Sequence, residues 1–260
     1  MSTTGTPSVD RLADGTEVFT KTLAGAPPLF FVREAAGLRA LAEAGARVPE
    51  VLAVDERRIT LSLVAQGHER TPASEEAFGR ELAELHRTTG PRFGSVDADP
   101  AGYLGACPVD LSPTGSWAES WLARRVVPLA RRAAGEGRVD PATAALAERV
   151  GDERLGPAEQ PTLVHGDLWA GNRLLDPAGR SWLIDPCAHY GHREVDLAMM
   201  QLFGGFSGRV FAAYVEAFPL ADGWRERIPV YQLVPLLVHA LLFGGGYGVQ
   251  AGDALREAAR

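Results

Sequence analysis

An aspartate and an asparagine five residues apart, Asp167 and Asn172, stand in the run His165-Gly166-Asp167-Leu168-Trp169-Ala170-Gly171-Asn172, and a second aspartate follows 13 residues later in Trp182-Leu183-Ile184-Asp185-Pro186. This set suits magnesium-dependent phosphoryl transfer. One carboxylate orients an acceptor hydroxyl and takes its proton, while an amide oxygen and the other carboxylate hold a metal on the phosphates of ATP. These are hard oxygen donors, and Mg²⁺ usually takes one or two protein carboxylates with phosphate oxygens and water. Each segment alone is a weak signal, since His-Gly-Asp is commonly a turn and Ile-Asp-Pro a strand exit. Their order and spacing carry the reading, provided that a cation meets the phosphates.

Of the 26 basic residues, 25 are arginine and one, Lys21, is lysine. A Walker A loop needs a Gly-Lys-Ser/Thr ending, so the glycine clusters at Gly204-Gly205 and Gly244-Gly245-Gly246 are not phosphate loops of that type. Glu17 to Leu23 follows the turn Ala13-Asp14-Gly15 and reads as a strand with Phe19, Lys21 and Leu23 on one face. Leu29 to Ala44 reads as a helix stopped by Gly45, with Phe31, Glu34, Leu38, Leu41 and Ala44 at spacings of three and four. Lys21 and Glu34 both interrupt apolar faces. Each is costly to bury alone and is satisfied if the two pair. Such a pair holds the lysine against the α- and β-phosphates of a nucleotide.

The remaining elements must bring these groups together. Pro49 to Val54 and Ile59 to Val64 make a hairpin that completes a small antiparallel sheet, and Ala65-Gln66-Gly67-His68 reads as a linker. The lobe boundary therefore falls near residues 65 to 70, with an N-terminal nucleotide-binding lobe over 1–67 and a helical lobe over 68–260. In the second lobe Ser74 is positioned to cap a helix carrying Phe78, Leu82 and Leu85, and Trp117 with Trp121 opens another toward Ala134. Asn172 to Leu175 and Ser181 to Ile184 flank Asp176-Pro177-Ala178-Gly179 as a hairpin that returns Asp185 toward Asn172. Helices follow from Glu194, Gly208, Trp224 and Tyr231 to the end. The sum is an α+β, two-lobed architecture with a cleft.

Composition narrows the alternatives. A length of 260 residues suits two lobes, and a net charge of −7 with scattered arginines argues against nucleic acid as a partner. No run approaches the ~18 apolar residues of a membrane span, and the polar start from Met1 to Asp10 lacks the apolar stretch of a secretory signal. Two cysteines, Cys107 and Cys187, make no disulfide framework, in keeping with a cytoplasmic protein. Cys187, His189 and His192 offer only three close donors, too few for a zinc site without a fourth from elsewhere.

Taken together, Val164 to Asn172 and Ile184-Asp185-Pro186 resemble the fructosamine (ketosamine) kinase family within the aminoglycoside-phosphotransferase-like kinases. The likeness continues through His189-Tyr190-Gly191-His192-Arg193-Glu194-Val195-Asp196-Leu197-Ala198-Met199, Leu202 to Phe206, Val18 to Lys21, the Glu34 helix and Gly102-Tyr103-Leu104-Gly105, so it covers most of the chain. The resemblance implies a protein-kinase-like fold and ATP-dependent phosphorylation of a sugar hydroxyl, the 3-hydroxyl of a fructosamine or ribulosamine. It implies Asp167 as base, Asn172 and Asp185 as Mg²⁺ ligands, and Lys21, steadied by Glu34, as the phosphate contact. It further implies that His165 braces the loop and that Asp196 tethers it, with His192 and Arg193 as neighbours. Trp169 either stacks on the acceptor sugar or packs between the lobes.

The resemblance also implies a strand and a glycine-containing turn ahead of Ser8 to Leu12, where this chain has only Thr3-Thr4-Gly5-Thr6. The first strand is thus expected to be missing or truncated, through an upstream start or a degenerate phosphate-covering lid. Two other functions fit the same residues: phosphorylation of an aminoglycoside- or choline-type alcohol, and a catalytically weak kinase-like protein that binds nucleotide. The sequence sets no oligomeric state.

Overall fold

Alternating apolar residues, a proline–glycine turn vocabulary and two long amphipathic stretches arrange the chain as two unequal layers, seen in a computed structural model that describes residues 5–67, 70–97 and 99–260. The smaller layer is a four-stranded antiparallel sheet of β1 (Thr6–Arg11), β2 (Glu17–Thr22), β3 (Val51–Val54) and β4 (Arg58–Ser62), in the order β1-β2-β4-β3. Helix α1 (Phe30–Glu43) lies on this sheet and buries Phe31, Ala35 and Leu38 against Ile59 and Leu61. Lys21 stands opposite Ile59 in the β2–β4 register, so its side chain is carried into the interior between sheet and helix. β1 is an edge strand paired with β2, and all six of its residues are exposed. Met1 to Thr4, including the Thr3-Thr4 of the expected phosphate-covering turn, lie outside the described residues.

The larger layer opens with α2 (Pro72–Leu85). Thr71, not Ser74, is its N-cap: Ser74 sits at the third helical position and returns a bond to the Thr71 amide, completing a capping box with Pro72 in the first turn. β5 (Gly94–Ser95) and the hairpin of β6 (Ala101–Leu104) and β7 (Cys107–Asp110) follow. The Trp117–Trp121 segment forms a π-helical stretch over Glu119–Val126 that runs on into α3 (Val127–Gly135), and α4 (Pro141–Ala144) is a single turn capped by Asp140. β8 (Thr162–Val164), β9 (Arg173–Leu175), β10 (Ser181–Leu183) and β11 (His189–Gly191) then carry the chemical residues, with β9–β10 as a hairpin and β5-β11-β8 as a second small sheet.

Helices α5 (Glu194–Leu202), α6 (Gly208–Ala217), α7 (Trp224–Phe243) and α8 (Gly246–Ala258) complete the chain. Trp224 and Tyr231 thus belong to one helix, although Pro229 and Pro235 lie inside it. Each proline costs the helix one backbone bond, and burial of Val230, Tyr231, Leu233, Leu236 and Leu237 outweighs that loss. One core surrounds α7, and another under β8–β10 joins Leu168 and Leu183 to Leu197 and Tyr214. Leu41 of α1 belongs to this second core, so the two layers share apolar packing. Contact is also close at Gly37, where an added Cβ would stand 3.1 Å from Ala188 and 3.3 Å from Pro186. Among the described residues, no helix is long and apolar enough to cross a membrane.

Candidate active site

Lys21 is 4% exposed, and its Nζ lies 2.5 Å from Glu34 Oε1 and 2.8 Å from Asp185 Oδ1. Burial alone would push the ammonium down; the two carboxylates outweigh it and hold the group above its usual range. Three elements distant in sequence meet at this one nitrogen. Asp185 reaches it from the exit of β10 with φ of 55°, a left-handed conformation that Asp tolerates better than most residues.

The hairpin behaves as its turn residues require. Asp176 accepts the Ala178 and Arg180 amides, closing the turn, and Ile184 N–H donates to the Asn172 carbonyl at 3.1 Å. Asn172 Nδ2 donates to the Asp167 carbonyl at 2.9 Å and lies 3.3 Å from Asp167 Oδ2. With Nδ2 so committed, the amide oxygen is the atom left for a cation. The Asp167 carboxyl is pushed up to about 8, first by burial and then by the Asp185 charge. Two carboxylates and an amide oxygen crowded in this way form a hard-oxygen donor set whose repulsion a divalent cation would relieve, and the residues fit Mg²⁺.

His165 uses both ring nitrogens within the loop: Nε2–H donates to the Ile184 carbonyl at 3.0 Å, and Nδ1 accepts the Asp167 amide at 3.2 Å. The His165 and Gly166 amides donate to the two Asp196 oxygens at 2.7 and 2.8 Å. Burial would raise the Asp196 carboxyl, but these bonds and His86 hold it below the ordinary carboxylate range. Sequence reasoning missed His86, which donates from Nε2 to Asp196 and accepts at Nδ1 from the Tyr214 hydroxyl at 2.8 Å. No local pattern marks it, since it completes α2 while its partners stand on α5 and α6.

His192 and Arg193 are placed elsewhere. Arg193 forks onto Glu159 and donates to the Phe218 and Pro219 carbonyls, while His192 stacks on Tyr231 at 5.2 Å, so neither bonds the 165–172 loop. His189 donates to the Cys187 carbonyl and accepts from the buried Arg125, and this pair, also absent from the sequence reading, fixes the segment after Asp185. Cys187, His189 and His192 therefore do not converge as zinc ligands. Trp169 is 42% exposed and meets Phe203 edge-on at 6.5 Å. A cleft lined by Lys21, Arg33, Tyr103, Asp167, Asp185 and Cys187 gathers the chemical residues.

Comparison with known proteins places this arrangement. The fructosamine kinase family model matches residues 6–260. The chain belongs to the fructosamine kinase family. A probable ketoamine kinase of Thermus thermophilus is 41% identical over 231 residues, covering 87% of this chain and 82% of the relative. A crystal structure assigned as a fructosamine-3-kinase from Thermobifida fusca superposes with a TM-score of 0.88 at 40% identity, covering 98% and 93% of the two chains. A choline kinase from Streptococcus pneumoniae, at 14% identity and a TM-score of 0.61 over 97% of this chain and 89% of that one, shares the fold alone. The fructosamine kinase family thus extends the kinase-like fold to this α+β chain, as its motif order implies.

Proposed function

We propose that this protein transfers the γ-phosphoryl group of ATP to a sugar hydroxyl of a ketosamine, in a reducing cytoplasm that suits its two buried free cysteines. The convergence of Lys21, Asp185 and Asp167 on one cleft, with Asn172 hydrogen-bonded to Asp167, carries the chemistry, and membership of the fructosamine kinase family favours a ketosamine over an aminoglycoside or choline as acceptor. Residues 5–67 form the nucleotide lobe and the helical remainder holds the acceptor.

Lys21 contacts the nucleotide phosphates and is aimed by Glu34. Asn172 and Asp185 hold Mg²⁺, which when bound neutralises charge on the β- and γ-phosphates. Asp167 orients the acceptor hydroxyl and accepts its proton as the new oxygen–phosphorus bond forms and the bond to ADP breaks. His165 and Asp196 hold the loop so that Asp167 and Asn172 keep their spacing.

The test is incubation of the folded protein with Mg-ATP and a fructosyl- or ribulosyl-amine, followed by detection of the phosphorylated product. Turnover that Asp167→Asn lowers by about 10³-fold or more, with ATP binding retained, is expected. A folded protein that binds ATP and phosphorylates neither acceptor overturns the assignment.

A further inference from the structure

Arginine guanidinium groups lie over aromatic rings throughout this chain: Arg125 over Trp117 and Trp121, Arg173 over Phe78 and Phe206, Arg87 and Arg193 over Phe218, and Arg225 over Trp224. One aromatic cluster is different. Phe203, at the end of α5, meets His239 of α7 at 4.7 Å, and His239 meets Phe243 at 5.3 Å and Tyr247 of α8 at 5.1 Å. Trp169 joins through Phe203 and so connects these rings to the catalytic loop, two residues from Asp167. Among the described residues no Lys or Arg stands over any of these five rings. Arg138 approaches the corner at Gly244, where its Nη1 would be 2.9 Å from an added Cβ, but it covers none of the faces.

The cluster is open to solvent, with Phe243 54% and Trp169 42% exposed. Its orientation is fixed at both ends. The Trp169 ring occupies the space a Gly171 side chain would need, and His239 Nδ1–H donates to the Pro235 carbonyl at 2.7 Å. Burial lowers the His239 pKa, so the imidazole at the centre of the cluster stays uncharged at neutral pH and does not repel a cation.

We infer that Trp169, Phe203, Phe243 and Tyr247 form a cation-binding wall for the secondary alkylammonium nitrogen of the acceptor. The inference rests on the ketosamine kinase reading. In such an acceptor the amine nitrogen lies only a few bonds from the hydroxyl that is phosphorylated, and the wall begins at Trp169, two residues from Asp167, so a hydroxyl held at Asp167 leaves the nitrogen to settle on these rings. The negative quadrupole of each ring face attracts an ammonium, most strongly where water is partly excluded. Carboxylates near the reacting atoms add to the same preference. The wall makes the protein selective for acceptors whose nitrogen is charged, and it leaves recognition of the sugar to other groups.

The test compares two acceptors with the same sugar, a fructosyl-alkylamine and its N-acetyl derivative, which carries no charge. Wild-type protein is expected to favour the ammonium acceptor by about tenfold or more in kcat/KM. Phe243→Lys, at an exposed position that tolerates the change, places a cation on the wall. It is expected to raise KM for the ammonium acceptor by about tenfold, with KM for the neutral acceptor and for ATP within about twofold. Phe203→Leu is expected to narrow the discrimination, and Phe203→Tyr to retain it. Equal use of both acceptors by the wild type, or equal loss of both in Phe243→Lys, overturns the wall. Failure of the wild type to phosphorylate either acceptor overturns the ketosamine reading itself, and the wall with it.

Discussion

The Cys187 carbonyl oxygen fills the space in which a Cβ at Gly166 would stand, and His189 Nδ1 approaches the same point at 3.0 Å. The 165–172 loop and the segment beyond Asp185 therefore touch backbone to backbone. Gly166 also has φ of 79°, a conformation that side chains other than glycine rarely adopt. Each partner is held from its own side: Asp196 receives the His165 and Gly166 amides, and Arg125 acts through His189 on the Cys187 carbonyl.

Gly166→Ala is accordingly expected to separate Asp167 from Asp185. Both the strained φ and the overlap with backbone act against alanine, so a loss of about 2–4 kcal/mol is expected in denaturant unfolding, together with a fall in kcat of about 10²-fold or more from misplacement. A variant with wild-type kcat and stability would show that the two segments are not coupled at this contact.

Lys21 and Glu34 give a second prediction through their asymmetry. Removing Lys21 as Lys21→Met leaves Glu34 buried beside Asp185 with no cation, a loss of about 3–5 kcal/mol. Lys21→Met with Glu34→Gln removes the stranded charge as well, and chemical denaturation should find the double variant more stable than Lys21→Met alone. Glu34→Gln alone keeps the lysine on Asp185 and is expected to raise the KM for ATP by about tenfold while turnover persists. A Lys21→Met protein as stable as wild type would contradict the buried pair.

A third prediction concerns His86. His86→Phe keeps the volume in the core but removes the donor to Asp196 and leaves the Tyr214 hydroxyl without its acceptor. Loss of about 1–3 kcal/mol is expected from the stranded polar groups. Because Asp196 also carries the loop amides, kcat should fall while KM for ATP changes little. A parallel rise in both Michaelis constants without a change in kcat would assign His86 to packing alone.

The placement of the candidate residues was legible because it is local. Asp167, Asn172 and Asp185 sit at fixed spacings on one loop and one hairpin, and Lys21 and Glu34 each break an apolar period, so their types and positions point inward before any fold is known. The architecture followed from periodicity for the same reason. What escaped was set by tertiary packing. Thr71 outcompeted Ser74 as a cap because Pro72 suits the first helical turn. Trp224 and Tyr231 read as the starts of separate helices, yet α7 runs through both with Pro229 and Pro235 inside it, because burial of its apolar residues outweighs the lost backbone bonds. Arg125, His189 and His86 reach partners 64 to 128 residues away, and no spacing rule connects such residues.

Two of the buried imidazoles predict acid lability. Burial, with Arg125 beside it, holds His189 down to about 3, and burial holds His192 down to about 4, although Glu159 works in the opposite direction. In the unfolded chain both return to the ordinary value near 6.5. Below that pH the unfolded state binds protons that the folded state refuses, so stability rises with pH across this window. The contribution is complete above pH 6.5 and is lost progressively as the pH falls, toward 4 for His192 and toward 3 for His189. Thermal unfolding should therefore give a Tm that falls steadily from pH 7 to pH 4.5, and His192→Phe should flatten that slope because it removes one of the groups that must charge. A Tm independent of pH across the window would show that neither imidazole is kept neutral by its burial.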